Sequence, residues 1–307
     1  INAANDPFGS DKDFWVNADN PWGFLRACME WRDYCADTVD FHSTLPIAFD
    51  GSCSGLQHFS AMFSDEVGGK EVNLVSGIDR QDVYAAVMVK TTEAVKASDS
   101  PYSALWLASG MLDRQMFKRP TMCYGYGSET AGMTNQIMEE VKDRNDTTFD
   151  KADMMKACSF LAKATFESIE GTVLKAAEAK GWLQGCAKTT EGAIQWTTPD
   201  GLPIVQKYLK QKVNKLDMKV NDQRVQSKFA VLTPQVDTNK MANAISPNVI
   251  HSLDATHIRM VALAASGEQI HSLAMIHDSF GCHAADAPRF FNIIREEFVA
   301  LYLSLIH

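Results

Sequence analysis

The sequence lacks the features that mark secreted, membrane-spanning and zinc-stabilised proteins. Its seven cysteines are odd in number and include no Cys-x-x-Cys pair, so neither a disulfide framework nor a zinc site is predicted. No apolar run reaches about 18 residues, and no basic N-terminal region precedes an apolar stretch, which argues against a spanning or secretory segment. We expect an intracellular protein with reduced thiols.

An excess of basic residues is also missing. The 29 Lys and Arg are outnumbered by 38 Asp and Glu, which gives a net charge of -9. This balance argues against a protein that coats nucleic acid nonspecifically, but an enzyme that acts on nucleic acid needs basic residues only along its channel. The chain has no internal repeat, low-complexity tract or long linker. It is large enough for one elaborate core or two domains.

The hydrophobic periodicity predicts mainly helices. Apolar residues recur at intervals of three and four in residues 22–34, 81–97, 104–126, 152–180 and 251–265, as expected for helices with one buried face. Short strands are predicted at residues 45–49, 192–197, 229–232 and 272–276. The sequence therefore predicts a helix-rich α+β fold with few strands.

Two aspartates follow predicted strands. Asp50 ends the run Ile47–Phe49 and precedes a glycine-containing turn, and Asp278 lies in the polar turn after residues 273–276. Carboxylates are the ligands that Mg²⁺ prefers, and phosphoryl transfer uses two such ions about 4 Å apart to stabilise the attacking and leaving oxygens. The alternative is that each aspartate merely caps a turn, where this residue is common.

A basic and aromatic stripe lies between the two aspartates. Arg114, Lys118, Met122 and Tyr126 stand four residues apart, so on a helix they form one stripe about 18 Å long. The two cations suit a triphosphate and the tyrosine can stack beneath a sugar and base. A solvated basic face is the alternative, and Pro120 within the stripe is expected to kink the helix.

Three motifs in this order resemble those of the bacteriophage-type single-subunit DNA-directed RNA polymerases. They are Asp-Gly-Ser-Cys-Ser-Gly-Leu-Gln-His from Asp50 to His58, Arg-x3-Lys-Arg-x2-Met-x3-Tyr-Gly from Arg114 to Gly127, and His277-Asp278-Ser279. The resemblance runs from about Trp15 to about Tyr302 and includes Pro247-Asn248-x2-His251-Ser252-x-Asp254. It implies the palm and fingers of a right-hand polymerase, with a small antiparallel palm sheet. Related DNA polymerases usually carry a different, Glu-containing segment after the first aspartate.

The resemblance also implies the metal ligands. Asp50 and Asp278 would hold two Mg²⁺ ions, and the carbonyl of Gly51 would be a backbone ligand. Both aspartates would therefore be catalytic.

Substrate roles come from the same resemblance. Arg114 and Lys118 would bind the triphosphate, and Lys118 is a candidate to protonate the pyrophosphate that leaves. Tyr126 would contact the sugar and base, and His251 the ribose 2'-hydroxyl, the group that distinguishes RNA from DNA precursors. Alternatively, His251 at a helix start could simply pair with nearby backbone or with Asp254.

A lysine-rich segment at residues 204–230 resembles the family's promoter specificity loop, a hairpin that reads duplex DNA in the major groove. Seven Lys and Arg against Asp217 and Asp222 give 7 - 2 = +5 within an acidic chain. A solvated lysine-rich loop is the alternative. The candidate nucleic-acid-binding residues are Lys207, Lys210, Lys212 and Arg224, together with Arg119, which suits a phosphate of the template or substrate.

The predicted domains follow from this resemblance. They are N-terminal palm or linker helices at residues 1–37, palm at 38–75, fingers at 76–190, the hairpin at 191–240 and palm again at 241–307. Ala131 departs from the aromatic that some relatives have there. The resemblance lacks the family's N-terminal region, thumb and extreme C-terminus, so we expect a fragment that is weak or inactive by itself.

The function predicted from the sequence is DNA-templated RNA synthesis by a monomer with no membrane association. Its partners would be template and promoter DNA, the RNA transcript and NTPs, with Mg²⁺ as cofactor. The cytoplasm of an infected bacterial host is the expected location, and an organelle is the alternative. Two rival functions stay open: a DNA polymerase of the same superfamily, and a nucleic-acid-binding remnant without catalysis.

Overall fold

The computed structural model describes residues 1–77, 79–144, 149–150, 152–221 and 223–303. Asp222 and the last four residues of the predicted C-terminal palm lie outside these ranges. The chain forms two compact units. The first comprises Ile1–Asp50 and Ile258–Ala300, and the second comprises Gly51–His257 and the chain from Leu301.

The described chain is mainly helical and has antiparallel strands, which confirms the predicted helix-rich α+β class. The helices are α1 Asn2–Asn5, α2 Lys12–Val16, α3 Pro21–Ala36, α4 Ser54–Met62, α5 Glu66–Glu71, α6 Val83–Lys96, α7 Pro101–Ser109, α8 Arg114–Gly125, α9 Thr130–Asp143, α10 Met154–Glu170, α11 Leu174–Thr189, α12 Thr238–Gly267 and α13 Ala287–Leu303. The strands are β1 Pro46–Asp50, β2 Ile194–Thr197, β3 Pro203–Gln206, β4 Leu209–Val220, β5 Gln223–Val236, β6 Leu273–Ile276 and β7 Ser279–His283.

The first unit contains a three-stranded antiparallel sheet in the order β1-β7-β6. Small residues face one another across it, since Gly281 of β7 is paired with Ala48 on one side and Ala274 on the other. A Cβ atom at Gly281 would lie 2.6 Å from the carbonyl oxygen of Ala274. The position therefore has no room for a Cβ atom unless the two strands move apart.

Apolar residues of α12, α13 and the sheet form the core behind it. Their buried members are Val261, Ala265, Ile270, Phe280, Cys282, Phe290 and Ile293. The strands of this sheet are four or five residues long, so packing against helices is what stabilises them.

A buried carboxylate ties the chain before β1 to α3. Glu30 is 7% exposed and accepts hydrogen bonds from the backbone N–H of Thr44 at 2.8 Å and from its hydroxyl at 2.9 Å, with a further bond from the Ser43 hydroxyl. Burial raises the pKa of Glu30, but these hydrogen bonds and the charge of Arg26 lower it more, so the net shift is downward. The ionised form is the one that stabilises the fold.

The second unit has a helical core. Large side chains from α4 and from α6 to α10 meet there, and the indole N–H of Trp106 donates to the carbonyl of Ala157 at 2.9 Å. The fully buried members include Leu56, Phe59, Val87, Trp106, Phe117, Ile137 and Leu161.

The predicted helix limits were wrong in three places. The helix at 104–126 is two helices, because Gly110 takes a φ of 67° and ends α7. The helix at 152–180 is interrupted between Glu170 and Leu174. The helix predicted from His251 begins at Thr238, and continues through Pro247. Elsewhere, α3 and α6 agree with the predicted helices to within two residues.

The strand predictions were incomplete. β1, β2 and β6 coincide closely with predicted strands, but residues 229–232 belong to the much longer β5, which pairs with β4 in a two-stranded hairpin. β3, β4 and β7 were not predicted.

None of the helices in the described part of the chain combines the length and the hydrophobicity that a membrane span needs.

Candidate active site

The first unit brings the two predicted catalytic aspartates to the same end of one sheet. Asp50 ends β1 and is paired with Ser279, the residue that follows Asp278. Paired Cα atoms of antiparallel strands are about 5.5 Å apart, and consecutive Cα atoms of one chain are about 3.8 Å apart. The Cα atoms of Asp50 and Asp278 therefore lie within roughly 9 Å of each other. Asp50 is exposed and Asp278 is partly exposed. The two aspartates therefore lie at the same end of the sheet, at a backbone separation that two ligands of one ion can have.

The turn that carries Asp278 has an unusual backbone. It connects β6 to β7 through His277 and Asp278 alone, and His277 has a φ of 52°. A histidine in the left-handed region is uncommon, and such residues often lie at functional sites. The turn places Asp278 at the sheet end, beside the strand that Asp50 terminates.

These residues fit Mg²⁺ as partial ligands. No group of three or more His, Cys, Asp and Glu side chains that could hold a metal occurs within the described residues. Magnesium is commonly bound by one or two carboxylates together with water and substrate phosphates, and not by a complete protein cage. Asp50, Asp278 and the carbonyl of the adjacent Gly51 are a donor set of that kind.

Helix α8, in the second unit, presents the predicted basic stripe on its exposed side. Arg114, Lys118 and Met122 are exposed, whereas Met116, Phe117, Pro120, Thr121 and Tyr124 on the other side are buried. The helix is continuous through Pro120. Tyr126 follows the last helical residue and is partly exposed. The spacing of four residues between Arg114, Lys118 and Met122 therefore does place these side chains on one accessible face of the helix.

Arg114 is held by Asp82, a partner that the sequence did not indicate. Its Nε lies 2.5 Å from Asp82 Oδ2, and its guanidinium lies 5.1 Å from the ring centre of Tyr84. Burial raises the pKa of Asp82, but the hydrogen bonds from Arg114 and from the backbone N–H groups of α6 lower it more. The net shift of this pKa is therefore downward. Because the contact uses Nε, the guanidinium is oriented while its two terminal nitrogens carry the remaining donors.

The other two cations of α8 differ from each other. Arg119 pairs with Glu139 at 2.7 Å, with both side chains more than half exposed. Such a surface pair contributes about 0 to 1 kcal/mol, so a phosphate could displace the glutamate. Lys118 is exposed and forms no ion pair with any described residue.

Tyr126 and His251 lie against each other. Their rings are stacked, with centres 4.8 Å apart and planes inclined by 7°. The Tyr126 hydroxyl is 3.0 Å from the Ser54 hydroxyl. The two residues assigned to the sugar and base are therefore adjacent, although they lie 125 positions apart in the sequence.

Two glycines of the motifs allow this arrangement. A Cβ atom on Gly125 would approach the Gly55 backbone to 3.3 Å, and one on Gly55 would lie 3.5 Å from Gly125. Helices α4 and α8 therefore approach closely where both glycines lie. Gly127 has a φ of 85°, and a Cβ there would lie 3.2 Å from Pro247. The glycines bring Tyr126 against both α4 and α12.

The lysine-rich segment forms the long β4–β5 hairpin, whose two faces differ. The pairs Lys215 with Lys228 and Lys219 with Arg224 occupy one face, because side chains alternate along paired strands. The opposite face is apolar and exposed, with Leu216, Met218, Val225, Phe229 and Val231. The positive charge is therefore concentrated on one side.

The four predicted nucleic-acid contacts of this segment do not share that side. Lys207 lies between β3 and β4, and Lys210 lies beside the irregularity at Leu209 and Gln211. Lys212 faces the apolar side, and Arg224, 78% exposed, pairs with Asp217 at 3.2 Å. Only Arg224 shares a face with Lys215, Lys219 and Lys228, which the prediction omitted.

Polar residues four apart on α12 form hydrogen bonds with β2, β3 and the residues that flank them. Asn248 donates to Gln206 at 2.7 Å and to the Tyr208 hydroxyl at 3.2 Å. Ser252 accepts from the indole of Trp196 at 3.0 Å, and Thr256 bonds to Asp200 at 3.1 Å. The helix that carries His251 is thus also the support of β2, β3 and the residues that flank them.

Comparisons with known proteins agree with these motifs. The family model of DNA-dependent RNA polymerase matches residues 1–306. The chain is 33% identical to the DNA-directed RNA polymerase of Enterobacteria phage T3 over 349 residues, which cover 97% of this chain and 39% of that protein. It is 33% identical to T7 RNA polymerase of Escherichia phage T7 over 341 residues, covering 95% of this chain and 38% of that protein.

A mitochondrial relative is similar to the same degree. DNA-directed RNA polymerase 1, mitochondrial, of Arabidopsis thaliana is 34% identical over 310 residues, 95% of this chain and 30% of that protein. The chain spans less than two-fifths of the length of each of these relatives. Since the family model extends over almost every residue, this protein belongs to the DNA-dependent RNA polymerases, the family of the phage T3 and T7 enzymes.

Proposed function

We propose that the chain carries the catalytic residues for DNA-templated RNA synthesis, the addition of NMP units from NTPs to an RNA 3' end with release of pyrophosphate. The observation that supports this best is the pair of aspartates at one end of the β1-β7-β6 sheet, in a chain of this family. The template and promoter DNA, the transcript and NTPs would be its partners.

The reaction is a phosphoryl transfer in which the RNA 3'-hydroxyl attacks the α-phosphate. Asp50, Asp278 and the Gly51 carbonyl would hold two Mg²⁺ ions. When bound, these ions supply Lewis-acid activation of the attacking oxygen and neutralise charge on the leaving oxygen. Both carboxylates would act as ionised ligands, and their shared position at the sheet end makes them suitable.

The residues of α8 and α12 would bind the nucleotide. Arg114, oriented by Asp82, would clamp phosphate oxygens through its terminal nitrogens, and Lys118 would neutralise or protonate the leaving pyrophosphate. Tyr126 would stack against the sugar and base. His251, whose ring is stacked on that of Tyr126, would contact the 2'-hydroxyl. Positioning of this kind accounts for most of the catalysis in phosphoryl transfer.

The β4–β5 hairpin would contact duplex DNA through its basic face. Lys215 and Lys228 are directly opposite each other, and like charges in that position repel. A phosphate between them would remove the repulsion. We therefore extend the set of Lys207, Lys210, Lys212 and Arg224 to include Lys215, Lys219 and Lys228.

The experiment is primer extension on an RNA/DNA scaffold with Mg²⁺, comparing NTPs with dNTPs. Asp278→Ala should abolish NTP incorporation. Asp286→Asn is the matched control, because Asp286 lies in the same unit beyond the other end of β7 and pairs with Arg289 at 2.6 Å. Incorporation by Asp278→Ala, or a steady preference for dNTPs, would contradict the proposal. Nucleotide binding without incorporation by the wild type would mean a catalytic core that is inactive by itself, whereas the absence of nucleotide binding would favour the non-catalytic alternative.

The remaining assignments are also proposals. The β1-β7-β6 sheet would belong to the palm and helices α6 to α11 to the fingers. The protein would act as a monomer without membrane association. Its expected location is the cytoplasm of an infected bacterial host, as suits a similarity to phage proteins, although the mitochondrial relative keeps an organelle as the alternative.

A further inference from the structure

A buried polar chain lies behind His251 in the second unit. His58, Asp254 and Tyr302 are 1%, 9% and 7% exposed. His58 Nε2 is 2.7 Å from Asp254 Oδ1, and His58 Nδ1 contacts the Tyr302 hydroxyl. Burying a carboxylate is costly unless it is hydrogen-bonded. The substrate roles proposed above do not use these three residues, so their burial calls for another explanation.

The chemistry of the groups fixes the direction of the hydrogen bonds. An ionised carboxylate only accepts, so Nε2 of His58 donates to Asp254. Burial, followed by the nearby charge of Asp254, raises the pKa of Tyr302, so its hydroxyl keeps its proton and can donate it to Nδ1 of His58. The chain Tyr302 to His58 to Asp254 is therefore satisfied at each step.

The second carboxylate oxygen of Asp254 faces the substrate residue. Asp254 Oδ2 is 3.8 Å from His251 Nδ1, which is longer than a hydrogen bond. A carboxylate at this separation still favours a proton on the nitrogen that faces it. With Nδ1 protonated, a neutral His251 has its lone pair on Nε2.

We propose that Asp254, held by His58 and Tyr302, is a positioning residue that keeps His251 in the Nδ1–H tautomer. Nε2 of His251 then accepts a hydrogen bond from the 2'-hydroxyl of a ribonucleotide. A 2'-deoxynucleotide has no proton to donate there, so the tautomer contributes to the preference for NTPs. This inference rests on the proposed function for its substrate, but the tautomer itself is a property of the chain alone.

The tautomer is measured without any nucleotide. In the full chain labelled with ¹⁵N-histidine, the side-chain nitrogens of the eight histidines are observed by NMR, and His251→Gln assigns the signal of interest. The wild type should show Nδ1–H for His251. Asp254→Asn should shift it toward Nε2–H, because the amide of asparagine can donate to Nδ1. An unchanged tautomer in Asp254→Asn would overturn the proposal.

The functional consequence is measured as a ratio. Asp254→Asn should lower the preference for ATP over dATP about 5- to 10-fold, the equivalent of one hydrogen bond, both in equilibrium binding with Mg²⁺ and in kcat/KM. Tyr302→Phe should produce a smaller loss in the same direction. A purely structural role would weaken binding of the two nucleotides equally, and that result would also overturn the proposal.

The control separates generic destabilisation from loss of discrimination. Thr165 of α10 is fully buried and donates to the Leu161 carbonyl at 2.7 Å in the same unit. Thr165→Val should lower stability and leave the ATP to dATP ratio unchanged. A wild-type chain that neither binds nor incorporates nucleotides would contradict the proposed function, while the NMR experiment would still support or overturn the role of Asp254 toward His251.

Discussion

Gly281→Ala should destabilise the sheet that carries the two aspartates. The added Cβ would lie 2.6 Å from the carbonyl oxygen of Ala274, whereas ordinary contact begins at 3.4 Å, so β6 and β7 would have to separate by about 0.8 Å (3.4 - 2.6). Gly281 is also paired with Ala48, so the central strand is confined on both sides. Overpacking of this kind costs about 1 to 3 kcal/mol.

The direction of the stability change distinguishes overpacking from the usual effect of replacing glycine by alanine. Glycine in a strand interior is normally unfavourable, so alanine at an open position would stabilise the protein. Here we expect a lower urea midpoint, measured by circular dichroism. Because Asp278 lies in the turn beside Gly281, we also expect NTP incorporation to fall, by as much as about 100-fold for a shift near 1 Å.

The matched control is Gly267→Ala. Gly267 ends α12 in the same unit, and a Cβ there would have no neighbour within 4 Å, so this variant should keep the wild-type midpoint or exceed it, because alanine favours a helix more than glycine does. A Gly281→Ala protein with wild-type stability and incorporation would refute the reasoning, because the close approach of Gly281 to Ala274 would then have no energetic consequence.

Three further predictions concern charge. Asp82→Asn should raise the KM for NTPs several-fold with little change in kcat, because asparagine still caps α6 but no longer orients Arg114 as an ion pair. Glu30→Gln should lower the free energy of unfolding at pH 7 by about 1 to 3 kcal/mol. The pKa of Glu30 is lowered in the folded protein. Its stabilising effect is therefore present above the unfolded pKa and is lost as pH falls through the folded pKa. The free energy of unfolding of the Glu30→Gln variant should consequently depend less on acid pH than that of the wild type. Lys215→Ala with Lys228→Ala should reduce the salt slope of DNA binding by about 1.8.

Each of these has a specific contrary outcome. An unchanged KM in Asp82→Asn, checked beside Asp82→Ala, would show that Arg114 does not depend on this partner. Parallel acid titrations of the Glu30→Gln variant and the wild type would contradict the assigned role of Glu30. A double lysine variant whose salt slope equals that of a control with Lys156→Ala and Lys163→Ala, two exposed lysines of α10 outside the proposed set, would show that the basic face has no special part in DNA binding.

Sequence reasoning was most successful where a local pattern decides the structure. Short apolar runs before a turn predicted β1 and β6, and apolar residues at intervals of three and four predicted α3 and α6, because these patterns are contained within each segment. It failed where a single residue interrupts such a pattern, as Gly110 does between α7 and α8. It also missed β7, whose Ser-Phe-Gly-Cys-His sequence becomes a strand only between two partners.

The sequence by itself determined the family, through motifs that the family model now bears out, and the identity of the residues proposed for catalysis. Only the tertiary structure decided which residues meet: the pairing that puts Asp50 beside Asp278, the stacking of Tyr126 on His251, and the buried link from Tyr302 to Asp254. The physical reason is that motifs record local chemistry, whereas these contacts join residues far apart in the chain and depend on packing that no single segment specifies.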